Sequence, residues 1–439
     1  MKSVFLIVCL IATSVSWGQY CIPNRFDEPT FSINQIDSIF VQYGQNHSWN
    51  SNEMENLYLD VYYPKLNIDP LEKRPLIVMI FPGGFYVGNR QHFKYHCRQL
   101  AKRGFVAATI DYRIGWDFGL GDQYESIPNF SVNYTFECLG DANSAISALY
   151  RAQQDQKAAL RFLVNNADTI RIDTNQIFVG GSSAGGVSAL SLQYLSQEFY
   201  DTEFPDLDLL GTLGPLESST NDLSDSFSLA GIFSMWGALP DTSFITVENS
   251  IPTLLMHCTG DSLVPCTDSN YYSCSNYPVA QGSCEISKRL ENLGECYEFN
   301  YYDAPFPDNG CHDVYPYNYH IDRFSKFLKR QFCDDCRQIT IENQVEISNN
   351  PILSIEEAGL DVSERLLIYP NPTSTVLNIE SDIDIEGFEL FDILGKTVKK
   401  QTTLSRNVIF RVDDIPTGVY LLKVNLISGD VITRQVVIE

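Results

Sequence analysis

Apolar residues occur along most of the chain in short continuous runs, separated by longer stretches with helical spacing. The runs at 76–81 and 105–110 are strand-like, and residues 91–104 between them show a helical pattern that ends at a glycine. The same two patterns recur at residues 142–165, 177–179, 251–257, 297–302 and 321–332. Buried strands that alternate with helices predict an α/β fold, with a mostly parallel sheet and helices on both faces.

Two stretches break this alternation. Residues 195–225 are polar and contain Pro205, and residues 265–283 have a loop-like sequence that carries cysteines. We expect both to be insertions over the ends of the strands, where lids and substrate loops lie.

The pattern changes again after Cys336. Residues 337–363 are polar and acidic and are predicted to be a linker. Residues 364–439 contain short β-rich runs separated by prolines and glycines. This spacing predicts a small all-β sandwich domain at the C-terminal end of the chain.

Residues 1–18 have the pattern of a secretory signal peptide. Lys2 precedes an apolar run at 4–12, and small residues follow up to Gly18. The run is too short to span a bilayer, and no other stretch approaches that length. We therefore expect an exported protein without a transmembrane segment, whose α/β domain covers residues 19–336.

The charge balance makes one class of partner improbable. The formal net charge is −25, and 44% of the residues are hydrophobic. That hydrophobic fraction is typical of a chain that forms a core, whereas the negative field repels phosphate backbones. Nucleic acid is therefore not an expected partner.

Eleven cysteines follow the predicted signal peptide, and eight of them lie between Cys258 and Cys336. In an exported chain this density predicts disulfides, and the odd number leaves at least one thiol without an intramolecular partner. Cys333 and Cys336 have the spacing of a redox motif, but they follow a helical segment at the end of the α/β domain. We expect a structural bridge there.

Residues 181–185 read Gly-Ser-Ser-Ala-Gly and fit the G-x-S-x-G nucleophile elbow. A strand-like run precedes this pentapeptide and a helical pattern follows it, as the elbow requires. Small residues two positions before and after the serine prevent clashes in a strained turn. These offsets favour Ser183 as the nucleophile over Ser182.

A second motif, Phe81-Pro82-Gly83-Gly84-Phe85, ends the first strong strand. An oxyanion hole needs one backbone N–H from this loop and one from the residue after the nucleophile. Pro82 has no N–H. We therefore expect Gly83, Gly84 and Ala184 to form the oxyanion hole, with Phe85 as an alternative donor.

The acid and the base should follow the nucleophile in the chain. Asp261 comes directly after the run at 251–257, where it could orient an imidazole by accepting from its Nδ1–H. Only two histidines follow it, His312 in a loop and His320 at the start of the last helical pattern. The loop position favours His312 as the base, and we expect a disulfide between Cys266 and Cys311 to tie the two catalytic loops together.

With these motifs, the region 50–333 resembles the α/β-hydrolase esterase/lipase superfamily, particularly carboxylesterases with an HGGGF-type oxyanion loop. Asp111-Tyr112-Arg113 and the acid loop at 259–265 also fit. At the start of the oxyanion motif, where the family usually has His-Gly, this sequence has Phe81-Pro82. The resemblance implies acyl transfer from an ester to water by a serine triad, without metal or cofactor.

The C-terminal region resembles the type IX secretion C-terminal sorting domain. The matching segments are Tyr369-Pro370-Asn371-Pro372, residues 390–396 and residues 416–424. The resemblance implies recognition by the type IX secretion machinery, and therefore a protein that is secreted or attached to the cell surface. A carbohydrate-binding sandwich is the alternative.

The substrate is the open question at this stage. Phe85, Tyr86, Trp116, Phe118 and Trp236 lie near loop ends and could line an acyl pocket or simply belong to the core. If they line the site, aryl esters, including feruloyl-type esters and aromatic polyesters, become plausible. A serine peptidase of the same fold and a non-catalytic surface adhesion protein are the two rival functions.

Overall fold

The computed structural model describes residues 20–49, 51, 53–119, 138–305, 311–347, 366–369, 373–392, 396–426 and 431–438. The chain divides into two compact units, residues 1–349 and 350–439. The predicted signal peptide lies outside the described residues. Within the described part, no helix is long and apolar enough to cross a membrane.

A ten-stranded sheet forms the centre of the first unit, in the order β1-β2-β4-β3-β5-β6-β8-β11-β12-β13. These strands are β1 (Ile36–His47), β2 (Met54–Pro64), β3 (Arg74–Ile80), β4 (Val106–Ile110), β5 (Ile172–Ser182), β6 (Gly231–Met235), β8 (Thr253–Cys258), β11 (Tyr297–Tyr302), β12 (Gln338–Glu342) and β13 (Val345–Ile347). The pairings from β4 to β12 are parallel, and antiparallel strands lie at both edges. This sheet confirms the predicted α/β fold.

A small second sheet, in the order β7-β10-β9, contains β7 (Ala238–Leu239), β9 (Asp268–Asn270) and β10 (Val279–Gly282). Two of its strands, β9 and β10, come from the stretch 265–283. The other stretch expected as an insertion, residues 195–225, contains short helices.

The described helices of the first unit are α1 (Lys94–Arg103), α2 (Ala142–Asn165), α3 (Ala167–Ile170), α4 (Ala184–Tyr194), α5 (Gln197–Glu203), α6 (Leu209–Leu213), α7 (Ser283–Leu293) and α8 (Tyr317–Phe332). α2 begins where Asp141 accepts from two backbone N–H groups, and α1 ends at Gly104 with φ 108°. Both limits agree with the patterns read from the sequence.

Part of the stretch 337–363, which was expected to be a linker, forms strands of the first unit. Residues 338–342 form β12, which pairs in parallel with β11, and β13 pairs with β12. Ile339 and Ile341 are buried while their neighbours are more exposed. This two-residue alternation places a strand inside a polar stretch, and residues 348–363 of the expected linker lie outside the described part.

Five disulfides hold the first unit together, namely Cys21–Cys333, Cys138–Cys274, Cys258–Cys311, Cys266–Cys284 and Cys296–Cys336. The expected Cys266–Cys311 bridge is wrong. Cys333 and Cys336 are not joined to each other but to distant cysteines, so a structural role is correct and a local bridge is not. Among the described cysteines, Cys97 alone is free, and it is buried in α1.

The second unit is a five-stranded antiparallel sheet made of β14 (Leu366–Tyr369), β15 (Val376–Phe391), β16 (Thr397–Arg411), β17 (Gly418–Leu426) and β18 (Val431–Ile438). Phe388 pairs with Gln401, whereas Phe410 pairs with Leu377 near the other end of β15. Nevertheless the two phenylalanine rings lie 4.7 Å apart between centroids. The long strands therefore bend and fold the sheet over its own core, as a small sandwich requires.

Candidate active site

Ser183 occupies a strained turn between β5 and α4. Its backbone has φ 54° and ψ −122°, a conformation that side-chain-bearing residues rarely adopt. A Cβ atom on Gly181 would lie 2.4 Å from the carbonyl carbon of Gly185, and one on Gly185 would lie 2.0 Å from the carbonyl oxygen of Ile80. The glycines are therefore a steric requirement of this turn, which leaves Ser183 half-exposed while Ser182 is buried in β5.

Asp261 and His312 meet at the carboxyl ends of the parallel strands. With its proton on Nδ1, His312 donates to Asp261 Oδ2 over 2.6 Å. The distance and the direction are those of the acid–base pair in a serine triad.

Ser183 and His312 both contact the end of β6 or the residue that follows it. The Ser183 N–H donates to the Met235 carbonyl over 2.8 Å. The ring of the next residue, Trp236, lies 5.8 Å from the His312 ring between centroids. The three candidate catalytic residues therefore lie near one another at the carboxyl ends of the central strands.

Asp261 is held ionised by several donors. The backbone N–H groups of Leu263 and Val264 donate to Oδ1 over 2.9 and 3.2 Å, and His257 Nε2 lies 3.5 Å from Oδ2. Burial by itself raises the pKa of the Asp261 carboxyl. The charge on His312 and the hydrogen bonds from both histidines outweigh burial, so the pKa lies well below its ordinary value.

His312 is affected in the opposite direction. Burial by itself lowers its pKa, but the nearby carboxylate of Asp261 and its hydrogen bond raise the pKa above the ordinary histidine value, and Asp313 adds a smaller contribution. A base with a raised pKa accepts the proton of a serine hydroxyl more readily.

The loop after β3 has three successive left-handed residues, Gly83 at φ 128°, Gly84 at φ 59° and Phe85 at φ 62°. The carbonyl of Gly83 accepts from the N–H groups of Tyr86 and Val87, which fixes the loop. Ala184 is the first residue of α4, so its N–H has no acceptor within that helix. Gly84, Ala184 and Ser183 line the same pocket.

That pocket is apolar, and its walls come from four parts of the chain. The lining residues are Phe85 and Trp116 near the oxyanion loop, Ala145, Ile146 and Leu149 of α2, Val187, Leu195, Phe199 and Phe204, and then Pro240, Val264, Tyr271, Tyr272, Pro278 and Val279. Both stretches expected to be insertions contribute to it.

The five aromatic residues singled out in the sequence take different positions. Phe85 and Trp116 line the pocket. The rings of Tyr86 and Phe118 stack on each other, 4.5 Å apart between centroids. Trp236 is fully buried against His312 and His320. His320 is itself buried on α8 beside His96, away from the pair formed by Asp261 and His312.

A disulfide joins the two loops that carry Asp261 and His312, although it is not the expected one. Cys258 ends β8, three residues before the acid, and Cys311 directly precedes the base. Cys266 bonds instead to Cys284 at the start of α7. The wrong pairing follows from reading proximity in the sequence, because both Cys258 and Cys266 flank the acid.

Two residues of the site have no signal in the sequence. His257 precedes Asp261 in the chain and so does not fit the order expected of a base, yet its ring lies against the carboxylate. Tyr272 belongs to a loop-like stretch and reaches the oxyanion loop only through the tertiary fold. Among the described residues, no cluster of three or more His, Cys, Asp or Glu side chains could hold a metal ion.

The fold of the first unit is that of an α/β-hydrolase. Residues 21–124 match the model of the Carboxylesterase family, and residues 130–208 match the model named BD-FAE. Residues 367–439 match the Secretion system C-terminal sorting domain. The first unit is thus similar to carboxylesterases in part of its length, and the C-terminal region is similar to secretion sorting domains.

Similar proteins include two from Caenorhabditis elegans. Neuroligin-like protein glit-1 is 31% identical over 128 residues, and Gut esterase 1 is 30% identical over 130 residues. Each match covers 29% of this chain, but only 14% and 19% of the respective relative.

Solved structures with a similar fold include esterase 2 of Thermogutta terrifontis with bound propionate. It has a TM-score of 0.42 and 18% identity, over 68% of this chain and 94% of that one. Esterase B of Lactobacillus rhamnosis has a TM-score of 0.40 and 15% identity, over 68% and 88% of the two chains.

Proposed function

We propose that this protein is an exported serine carboxylic ester hydrolase, with Ser183 as nucleophile, His312 as base and Asp261 as the orienting acid. One observation carries the proposal. His312 Nδ1 is hydrogen-bonded to Asp261 Oδ2, and this pair lies at the carboxyl ends of the strands, as does the strained turn of Ser183. The match to the Carboxylesterase family supports it.

The proposed cycle has two half-reactions. His312 Nε2 takes the proton of the Ser183 hydroxyl while the oxygen bonds to the ester carbonyl carbon, and backbone N–H groups hold the resulting oxyanion. The imidazolium then donates its proton to the departing alcohol oxygen as the C–O bond breaks. Water repeats the sequence on the acyl-enzyme, with His312 as the base, and releases the carboxylic acid.

The apolar lining of the pocket favours esters with apolar groups. No charged side chain lines it within the described part of the chain. Phe85 and Trp116 supply aromatic faces, which fit aryl esters, including feruloyl-type esters and aromatic polyesters. A panel of aryl and straight-chain p-nitrophenyl esters measures this preference, and equal kcat/KM values across the panel would argue against it.

The C-terminal sorting domain supports export, and we propose the type IX secretion machinery as its partner. The density of disulfides agrees with an oxidising destination.

The nucleophile is tested by Ser183→Ala, with Ser182→Ala as the matched control. We expect Ser183→Ala to lower kcat on a p-nitrophenyl ester by about 10⁶-fold, as in comparable serine triads. A fluorophosphonate probe should label the wild type and the Ser182→Ala variant, but not the Ser183→Ala variant.

The outcomes separate the rival functions. A wild type that turns over a peptide anilide faster than an ester is a peptidase. A wild type that neither hydrolyses esters nor reacts with the probe overturns the enzymatic proposal and leaves the adhesion function.

A further inference from the structure

Two adjacent tyrosines project from the stretch 265–283 into the apolar pocket. Tyr271 and Tyr272 both line it, together with Ser183, Gly84 and Ala184. The hydroxyl oxygen of Tyr272 lies 2.8 Å from the point where a Cβ atom would stand on Gly84. A phenol group from a distant part of the chain therefore sits against the oxyanion loop.

The backbone that carries Tyr272 is held in an unfavourable conformation. Tyr272 and Ser273 both have positive φ values, 56° and 57°. For residues with side chains, each such conformation costs about 1–3 kcal/mol and persists only where the surroundings enforce it. The strained residue Tyr272 therefore lines the same pocket as Ser183.

The surroundings do enforce it. The Tyr272 N–H donates to the carbonyl of Leu263, two residues after Asp261, over 2.9 Å. The next cysteine, Cys274, is bonded to Cys138, and the Cys266–Cys284 disulfide closes the base of the loop. The position of Tyr272 is thus fixed relative to both the acid loop and the rest of the pocket.

The ring of Tyr272 is packed on its aromatic neighbours. Its centroid lies 5.0 Å from that of Phe118, 5.6 Å from that of Trp116 and 6.1 Å from that of Tyr277. These contacts hold the ring and direct its hydroxyl end, rather than its face, toward Gly84.

We propose that the Tyr272 hydroxyl is a further donor of the oxyanion hole. When Ser183 attacks the ester, the carbonyl oxygen becomes an alkoxide, and the Tyr272 O–H donates a hydrogen bond to it beside the backbone N–H groups of the hole. The phenol keeps its proton throughout, so no bond to hydrogen is broken at Tyr272. The inference rests on the proposed function, since an oxyanion forms only if Ser183 acts as nucleophile.

The local chemistry explains why a side-chain donor is useful here. Pro82 stands at the start of the oxyanion loop and has no N–H to contribute. Burial, together with the nearby Tyr86, Tyr277 and Asp261, raises the pKa of the Tyr272 phenol well above its ordinary value. The hydroxyl therefore keeps its proton at neutral pH.

The test is Tyr272→Phe, with Tyr95→Phe as the control, because Tyr95 is an exposed tyrosine of α1 that does not line the pocket. Removal of one oxyanion donor in comparable sites lowers kcat by about 10²–10³-fold. We expect a loss of that size for Tyr272→Phe with little change in KM, and wild-type kinetics for Tyr95→Phe. An unchanged kcat, or a rise in KM alone, would show that Tyr272 is only a wall of the pocket.

A pair of ketone inhibitors separates a donor from a packing residue. A trifluoromethyl ketone forms a hemiketal oxyanion on Ser183, whereas the matching methyl ketone binds without forming it. Tyr272→Phe should weaken the trifluoromethyl ketone by the same factor as kcat/KM and leave the methyl ketone unaffected. Equal weakening of both inhibitors overturns the inference.

Failure of this inference is distinct from failure of the proposed function. If the wild type hydrolyses no ester, the proposed function fails. If the wild type is active and Tyr272→Phe has the same activity, only the proposed role of Tyr272 fails.

If the Tyr272→Phe variant unfolds, a fluorinated tyrosine at 272 keeps the ring and hydroxyl but lowers the phenol pKa. As a stronger donor, this phenol should tighten the trifluoromethyl ketone but not the methyl ketone, and an unchanged ratio of the two affinities overturns the inference.

Discussion

At the residue scale, the charge of His312 is controlled by two carboxyl groups. Asp261 is buried and hydrogen-bonded to the ring, whereas Asp313 has an exposed side chain and makes a smaller contribution. Both favour the imidazolium, and Asp261 dominates because screening by water weakens the exposed charge.

This arrangement predicts where activity is lost in acid. The base must be neutral to take the serine proton, and its pKa is raised, so kcat/KM should rise with pH through a pKa above the ordinary 6.5. Asp261→Asn should lower kcat about 10⁴-fold. It should also move the acid limb of the residual activity to lower pH.

Asp313→Asn is the control for that measurement. Removal of an exposed carboxylate should move the acid limb slightly to lower pH and leave the plateau rate intact. A shift to higher pH in either variant would contradict the assignment of His312 as the titrating base.

Much of the catalytic constellation can be predicted from the sequence because it is encoded locally. Ser183 is marked by glycines at fixed offsets, and Asp261 and His312 by chain order after it. Tyr272 could not be found in this way, because its meeting with Gly84 depends on two disulfides and a strained loop. The same is true of His257. Its Nε2 atom lies 3.5 Å from Asp261 Oδ2, but His257 precedes Asp261 in the chain, whereas the expected base follows it.

At the element scale, a buried ion cluster joins β11 to α8, the helix that follows the His312 loop. Glu298 accepts from Arg323 Nε over 2.6 Å and from Asn300 Nδ2 over 2.9 Å, and it also pairs with Arg330. Burial by itself raises the pKa of the Glu298 carboxyl, but the two guanidinium groups outweigh burial and lower the pKa to about 2.

The cluster predicts a pH-dependent contribution to stability. A depressed carboxyl pKa stabilises the fold fully above about pH 4.5, the ordinary value, and the contribution is lost as the pH falls toward 2. At neutral pH, Glu298→Gln should lower the free energy of unfolding by about 3–5 kcal/mol, because the buried Arg323 and the half-buried Arg330 lose their charged partner.

Urea unfolding at pH 7 and pH 3 measures this contribution. The difference between wild type and Glu298→Gln should shrink at the lower pH. The exposed Glu291→Gln on α7 should stay within about 0.5 kcal/mol of the wild type at both. A constant difference across the range would show that the charge of Glu298 is not what stabilises the junction.

The elements that the sequence predicts well are those buried on both faces. β3, β4 and β8 contain runs of apolar residues because both faces of these strands are buried. The edge strands are harder to recognise. β1 is largely exposed, and β12 alternates within a polar stretch, so neither has the run of apolar residues that marks a central strand.

At the scale of the whole molecule, each of the two units has its own hydrophobic core. A division of the chain is predicted from the sequence, because long helical patterns give way to short strand-like runs after Cys336. Disulfide pairing is not predictable in the same way. Cys21 and Cys333 are 312 residues apart in sequence, and only the finished fold brings them together.

The buried thiol of Cys97 belongs to this scale as well. Burial, with a smaller contribution from Asp60, raises the pKa of the thiol well above its ordinary value, and only the thiolate reacts quickly. A chain that starts at residue 19 lacks Cys9, so the folded protein should show no titratable thiol and the denatured, unreduced protein one.

Reaction of the Cys97 thiol can therefore be used to measure unfolding of the first unit. With a fluorogenic thiol reagent in excess, the rate of labelling should equal the rate at which the core around α1 unfolds. Cys97→Ser should abolish the signal, and fast labelling of the native protein would show that the thiol is accessible. The unpaired cysteine thus provides a native labelling site from which the unfolding rate can be measured, without any engineered label.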